Sequence, residues 1–114
     1  MKTKSSNFMD NAAISWEYAG EGMTRQVMGY DGQIMMVKVK FEKGAIGYEH
    51  EHYHSQVSYV ASGKFEVGIN GEKKILGPGD AFYAEPDSRH GTVCLEEGLL
   101  IDVFSPMRQD FLKK

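Results

Sequence analysis

The sequence is poor in the residues that cross-link small proteins or carry them into membranes. Its 114 residues include one cysteine, Cys94, so no disulfide can form within the chain. Because small secreted domains commonly depend on disulfides, we expect a cytoplasmic protein. No segment approaches the roughly 20 apolar residues of a membrane helix. Residues 1–11 also lack the apolar run of a signal peptide, so we expect no membrane partner.

The sequence also lacks a large excess of charge of either sign. The 13 basic and 16 acidic residues give a net charge of -3 and are scattered along the chain. Nucleic-acid-binding domains concentrate positive charge on one face, so we expect no nucleic-acid partner. A chain of 114 residues is long enough for one domain with one core. We expect a flexible N-terminal arm at residues 1–12 and a single domain at residues 13–114, because the first residues are mostly polar.

Glycine, in contrast, is abundant, and it separates short segments in which apolar and polar residues alternate. The segment from Ile34 to Phe41 alternates in this way and predicts a half-buried strand. Asn70-Gly71 predicts a type I′ turn, after which Glu72 to Leu76 would pair back antiparallel. Further strands are predicted at 57–61, 64–69, 81–84, 91–95 and 99–104. Many short strands without a helical period indicate an all-β sandwich or barrel.

Three of the four histidines occur at alternate positions, His50, His52 and His54. If this segment is extended, the three imidazoles lie on one face, as metal ligands would. Gln56 would add an amide oxygen and His90 would arrive from a distant strand. The alternative is a polar strand with surface histidines. His54 either lies in the turn before the next strand or orients a ligand.

Asp102 lies within an apolar segment that is otherwise typical of a buried strand. A buried carboxylate is costly, so Asp102 should face a polar cavity, pair with a cation or take part in chemistry. The alternative is an edge strand with Asp102 in solvent. Arg108 follows shortly after and could bind a substrate carboxylate with its two-pronged guanidinium group, unless it is an ordinary surface arginine.

Residues 44–63 resemble the first motif of the cupin superfamily, with His50, His52 and Gln56 at its ligand positions. Residues 78–90, from Pro78 to His90, resemble the second motif. The resemblance implies a single-domain cupin, a double-stranded β-helix or jelly-roll barrel that holds a metal. Gln56 stands where the first motif usually has glutamate, so the implied ligands would all be neutral.

A narrower resemblance is to the KdgF proteins of pectin and alginate breakdown. It is carried by HYHSQVSYVASGKFE, LGPGDAFY and CLEEGLLIDVFSPMRQDFL, at residues 52–66, 76–83 and 94–112. It implies opening of the ring of 4,5-unsaturated uronates, without redox change, by one divalent transition metal (Zn, Ni, Fe or Mn). The implied metal ligands are His50, His52, Gln56 and His90. The implied substrate contacts are Gln56, Phe104 and Arg108, with Asp102 and Arg108 in catalytic roles.

Two other functions compete with ring opening. A non-catalytic cupin would bind a sugar or a small acid in the same pocket, and a dioxygenase would use a redox-active iron there. For the proton donor of the ring-opening reaction, the sequence does not choose among Tyr48, Tyr53, Tyr59 and Tyr83. We expect a homodimer, because small β-barrels often pair through exposed strands. The stripe of Ile14, Trp16 and Tyr18 would cover either a neighbour or its own sheet.

Overall fold

The computed structural model describes residues 3–112, and its regular structure is almost entirely antiparallel β-sheet. The strands are β1 (Glu17–Gly20), β2 (Met23–Asp31), β3 (Ile34–Phe41), β4 (Ile46–His50), β5 (Ser55–Ile69), β6 (Glu72–Leu76), β7 (Ala81–Ala84) and β8 (His90–Ser105). Within the described part, one short 3-10 helix, Gln109–Phe111, follows the last strand. No helix formed by residues 3–112 is long and apolar enough to cross a membrane.

The two longest strands, β5 and β8, belong to both layers of the barrel. The first half of β5 pairs with β7 and with the second half of β8, which also pairs with β3. The second half of β5 pairs with β6 and with the first half of β8, which also pairs with β4. Two sheets therefore share two bent strands, as in a jelly roll. The predicted all-β jelly-roll fold is confirmed.

The breaks predicted within these two strands are wrong, because the chain bends there without leaving the sheet. The pairing of β5 with β8 shifts register between Val60 and Phe65. Gly63 has a φ of +86°, and a Cβ there would lie 2.6 Å from the Cα of Gly98. Such a bulge turns a strand while its neighbours stay paired. Gly63 and Gly98 therefore let the two strands cross closely at the bend.

The core forms where the predicted alternation puts it. In β3, Met35, Val37, Val39 and Phe41 are all buried, each less than a tenth exposed. They pack against apolar residues of the other strands, including Val60, Phe65, Leu76, Leu100 and Phe104. The predicted hairpin is also present, since Asn70 and Gly71 have φ values of +50° and +87° and β6 pairs back on β5. Local alternation and one turn thus fix much of the barrel.

The N-terminal segment lies against the outside of the protein's own sheet. The buried amide of Gln26 donates hydrogen bonds to the carbonyls of Asn11 and Ile14, at 3.0 and 2.8 Å. The ring of Trp16 lies 4.1 Å from the ammonium of Lys40 on β3. Trp16 therefore covers its own sheet. The division at residue 12 stays a prediction, and residues 1 and 2 of the predicted arm lie outside the described residues.

Candidate metal centre and catalytic cavity

A cavity of about 360 Å³ lies between the sheets, with both apolar and ionisable side chains in its walls. Its polar lining includes His50, Gln56, His90, Asp102 and Arg108. Phe82 and Phe104 are among the rings that form its apolar walls. Pockets for small ligands commonly have volumes of about 300–1,000 Å³ and combine apolar walls with a few convergent polar groups. This cavity therefore suits a small polar molecule.

Three histidines from two distant segments of the chain converge at one side of this cavity, and two of them line it. His50 ends β4 and pairs with His90, which begins β8, whereas His52 lies in the connection to β5. One potential ligand atom from each lies within 4.8 Å of the other two. His90 is buried, His52 is half-buried and His50 is exposed. The structure thus brings together the three histidines that the sequence predicted as ligands.

The hydrogen bonds of these histidines fix which ring nitrogen is free. Each Nδ1 lies next to a backbone carbonyl two residues away: His50 to Tyr48 at 2.9 Å, His52 to His54 at 3.1 Å and His90 to Ser88 at 3.0 Å. A carbonyl only accepts, so Nδ1 carries the proton in each neutral ring and Nε2 presents a lone pair. This is the arrangement that orients metal-binding imidazoles.

Gln56 adds an oxygen to the same point. Its buried side chain places Oε1 3.1 Å from Nε2 of His52 and 3.1 Å from Nε2 of His90. Burial is the main cause that lowers the pKa of His52, and it lowers the pKa of His90 to about 4, so these rings are neutral at pH 7. Lone pairs of nitrogen and oxygen therefore face one another without a proton between them. This donor set fits a first-row transition-metal cation.

His54 does not belong to this set, because residues 51–54 are not extended and His54 lies in the turn before β5, one of its two predicted places. Strand β4 ends at His50, because the chain must turn to enter β5 at Ser55. His54 is buried, and its Nε2 donates to the carbonyl of Met107 at 3.2 Å. This hydrogen bond therefore joins the connection between β4 and β5 to the C-terminal segment that carries Arg108.

Asp102 faces the cavity from the middle of the sheet. Its strand lies between β3 and β5, with Val37 and Ser58 as its partners, so the predicted alternative of an exposed edge strand is wrong. Burial raises the pKa of its carboxyl group to about 6, against the opposing effects of a hydrogen bond from Ser58 and the charge of Arg108. At neutral pH this carboxylate is ionised yet close to the pKa suited to proton transfer.

Sequence reasoning missed Ser58, which links Asp102 to the histidine cluster. Ser58 is fully buried, and its Oγ donates to Oδ1 of Asp102 at 2.6 Å. The same Oγ accepts a hydrogen bond from Nε2 of Gln56 at 2.9 Å. The strand period offered a clue, because Ser58 is two residues from Gln56 and therefore shares its face.

Arg108 lies half-buried at the cavity, held by aromatic rings and a carboxylate. Its guanidinium carbon is 5.1 Å from the ring centroid of Phe104 and 4.3 Å from that of Phe111. Its Nε and Nη2 donate to the two carboxylate oxygens of Asp110, at 3.1 and 2.9 Å. The surface-arginine alternative is therefore wrong, and the guanidinium group has a fixed place in the wall.

A second arginine in the wall was also missed by the sequence reasoning. Arg25 of β2 lies 3.9 Å from the ring centroid of Phe111, and its Nε donates to Oε1 of Glu17 at 2.9 Å. Phe111 is therefore in contact with both Arg25 and Arg108. The sequence around Arg25 does not indicate that it belongs to the cavity wall, because its partners lie in β1 and near the C-terminus.

The tyrosines considered as proton donors are distributed over different surfaces. Tyr48 lines the cavity, whereas Tyr53 stacks on His54 with 4.1 Å between ring centroids. Tyr59 and Tyr83 are half-exposed on the outer faces of β5 and β7. Tyr48 is therefore the tyrosine of these four that reaches the cavity wall. Cys94 is buried in the apolar core, and burial raises the pKa of its thiol.

Comparisons with known proteins agree with this geometry. The family model described as "Cupin domain" matches residues 37–104. The chain is 54% identical over 99 residues to "Pectin degradation protein KdgF" of Dickeya dadantii (strain 3937), covering 85% of this chain and 90% of that protein.

Two solved structures are similar over nearly their whole length. An RmlC-like cupin from Shewanella frigidimarina NCIMB 400 has 45% identity and a TM-score of 0.94, covering 96% of this chain and 99% of that one. KdgF from Halomonas sp. has 42% identity and a TM-score of 0.89, covering 94% and 99%. The likeness therefore extends over almost the full length of each relative.

Proposed function

Because the chain belongs to the KdgF family of cupin proteins, we propose that it opens the ring of 4,5-unsaturated uronates released from pectin and alginate. The product is the linear 5-keto-4-deoxyuronate. The reaction is of the isomerase type, because it involves no redox change and consumes no water. The observation that carries this proposal is a cluster of three histidines placed to hold a cation, two of which line the same cavity as Asp102 and Arg108. Ring opening needs a proton carrier, a carboxylate-binding group and stabilisation of an oxyanion.

We propose that His50, His52, Gln56 and His90 hold one divalent transition metal, zinc, nickel, iron or manganese. Such an ion, when bound, supplies Lewis acidity that stabilises negative charge on a substrate oxygen. The convergence of three Nε2 lone pairs with the amide oxygen supports this ligand set. Because all four donors are neutral, they do not offset the positive charge of the ion.

The proposed reaction moves protons between two ends of the sugar. Loss of the anomeric hydroxyl proton forms the aldehyde as the bond from carbon 1 to the ring oxygen breaks. The ring oxygen departs as an enolate, and protonation at carbon 4 gives the keto acid. Asp102 is the proposed proton carrier, since it lies in the cavity wall with a pKa raised to about 6 by burial.

The remaining cavity residues have proposed roles in binding. Arg108 binds the substrate carboxylate: it uses two N–H groups on Asp110, and a guanidinium group has five. Phe104 supports this cation and forms an apolar wall against the sugar ring. Gln56 contacts the substrate at the same point where it faces the ion. These side chains would orient the uronate with its carboxylate towards the arginine.

The proposed function is tested by the ultraviolet absorbance of a lyase-generated unsaturated uronate, because ring opening destroys the conjugated chromophore. We expect the metal-loaded protein to accelerate the loss of absorbance. The acceleration should stop on chelation and in the His90→Ala variant, whose deepest proposed ligand is removed. A Lys73→Ala variant, changed on the exposed strand β6, is the matched control and should keep the wild-type rate.

The opposite outcome is equally clear. If the absorbance falls no faster with the metal-bound protein than it does spontaneously, catalysis of ring opening is excluded. Tight binding of the uronate without turnover would then indicate a binding cupin, and oxygen uptake would indicate a dioxygenase.

We also propose a cytoplasmic homodimer. A reducing compartment suits the one free thiol of Cys94. For the dimer, the outer face of β3, β5 and β7 exposes large apolar side chains, each 40–57% exposed: Ile34, Met36, Val57, Tyr59 and Tyr83. Val57 pairs directly with Tyr83 and, across β8, lies near Met36, so the patch is contiguous. Apolar patches of this kind mark contact surfaces, and a second copy would present the same face.

A further inference from the structure

We propose that Ser58 is a positioning residue that holds the amide of Gln56 with its oxygen towards the metal and holds Asp102 in place beside the substrate. This inference rests on the metal site of the proposed function. It concerns a side chain that lies behind the ligands rather than among them.

The position of Ser58 between the two groups follows from the sheet. Along β5 it lies two residues after Gln56, on the same inward face. Across the sheet it pairs with Asp102 of β8. Its side chain is fully buried, so bulk water does not compete for its hydroxyl. One hydroxyl group therefore links a proposed metal ligand to the proposed proton carrier.

The direction of the hydrogen bonds is determined by the groups themselves. A serine hydroxyl has one proton, and here it is directed to Oδ1 of Asp102 at 2.6 Å. The lone pairs of Oγ must then be matched by a donor, and Nε2 of Gln56 supplies it at 2.9 Å. This bond uses the NH₂ end of the amide. The Oε1 end consequently faces the Nε2 atoms of His52 and His90, both 3.1 Å away.

This chain of bonds has a consequence for residue 56. An amide rotated by half a turn would put its NH₂ group at the cation site, where a positive ion and N–H donors repel each other. It would also set its oxygen against the oxygen of Ser58. A carboxylate at position 56 has no proton to donate, so it would compete with Asp102 for the single hydroxyl proton. The arrangement around Ser58 thus requires an amide and selects one of its two orientations.

The test is a double-mutant cycle on metal affinity, with Co²⁺ as the probe and a chelator as competitor. Groups that orient metal ligands typically contribute about 10- to 100-fold to affinity. We expect Ser58→Ala to weaken Co²⁺ binding by that factor, because Gln56 is then free to rotate. In the Gln56→Ala background, Ser58→Ala should cause no further loss, since the amide through which it acts is absent. The visible spectrum of bound Co²⁺ should differ between the wild type and Ser58→Ala. It should not differ between Gln56→Ala and the double variant.

Ser62→Ala is the matched control, because Ser62 is an exposed serine of the same strand outside the cavity. It should bind Co²⁺ as the wild type does. Ser58→Cys keeps a weak donor in the buried position and should fall between the wild type and Ser58→Ala. If Ser58→Ala is poorly folded by circular dichroism, the cysteine variant carries the same test.

Three outcomes would overturn the proposal, and they are distinguishable. Unchanged affinity in both Ser58 variants, or equal losses in the presence and absence of Gln56, would exclude a positioning role for Ser58 while leaving the metal site intact. Failure of the wild-type chain to bind Co²⁺ would instead exclude the metal site itself, and the role of Ser58 with it.

Discussion

Asp102 combines a cost in stability with its proposed role in proton transfer. Its carboxyl group titrates near the ordinary value of 3.8 in the unfolded chain and near 6 in the folded chain, because burial disfavours the ionised form. As pH rises between these values, the unfolded state loses its proton first, so the free energy of unfolding falls. Above pH 6 the whole destabilising effect is present. An ionised carboxylate is therefore retained in the cavity at a cost to stability.

Replacing Asp102 by asparagine should consequently separate stability from activity. At pH 8 we expect the metal-free Asp102→Asn protein to unfold with a free energy higher than the wild type by roughly 1–3 kcal/mol. The difference should shrink as the pH falls through 6 and vanish only below about 3.8, where the wild-type carboxyl group is protonated in both states. The ring-opening rate should fall by about 10²- to 10⁴-fold, as is typical for loss of a general acid or base. Urea unfolding and the absorbance assay measure the two effects.

Glu72→Gln, on the exposed strand β6, is the control for removing a negative charge, and it should change neither quantity. Equal stabilities of wild type and Asp102→Asn at pH 8 would contradict the raised pKa of Asp102. A metal-loaded variant with the full rate would contradict its role in proton transfer.

At the residue level, the sequence predicted groups whose chemistry is unusual for their surroundings. Histidines at alternate positions and a carboxylate within an apolar strand are such signals, and the structure brings His50, His90 and Asp102 to one cavity, with His52 beside the other two histidines. The roles of Ser58 and Arg25 could not be predicted, because the strand period places Ser58 only on the same face as Gln56, and serine in a strand and arginine near a turn are common. Their positions have meaning only through partners such as Asp102, which is distant in the sequence.

At the level of secondary structure, short segments were predicted better than long ones. The alternation of β3 and the Asn70-Gly71 turn are local properties, and both are confirmed. The continuity of β5 and β8 is not local, since it depends on partners that keep the strands paired through the bend at Gly63 and Gly98. In the sequence, a glycine that permits a chain reversal looks the same as a glycine that permits a bulge within a continuous strand.

The β5–β6 hairpin offers a test of backbone conformation that is free of packing effects. A Cβ added at Gly71 or at Gly32 would meet no atom within 4 Å, but Gly71 has a φ of +87° and Gly32 does not have a positive φ. Gly71→Ala should therefore lower the free energy of unfolding by about 1–2 kcal/mol, because alanine is strained in the left-handed region. Gly32→Ala is the matched control and should be neutral or stabilising by up to about 1 kcal/mol.

Chemical denaturation of both variants measures this difference directly. Equal stabilities would show that residue 71 does not adopt the left-handed conformation, and with it the type I′ turn would be wrong. Activity should be preserved in both, because neither glycine lines the cavity.

At the level of the whole molecule, the outer apolar face makes the proposed dimer testable. Tyr59 is half-exposed near the middle of this face, between Ala81 of β7 and Ile101 of β8. Tyr59→Glu should convert the dimer to a monomer, because a glutamate would be desolvated against the same apolar face of the second copy. Light scattering after size-exclusion chromatography measures the change. Lys73→Glu, on the exposed part of β6, should leave the mass unchanged. A wild-type protein that is already monomeric would exclude the dimer.

The alternation of β5 has a consequence for how this protein can change. Gln56 and Ser58 are buried on the inner face, whereas Val57 and Tyr59, their immediate neighbours, are exposed on the outer face. Odd and even positions of one strand therefore form two separate surfaces, one for the proposed assembly and one for the proposed catalysis. Substitutions could retune self-association without altering the reaction, or the reverse. A one-residue insertion in the first half of β5 would exchange the two surfaces and abolish both properties together.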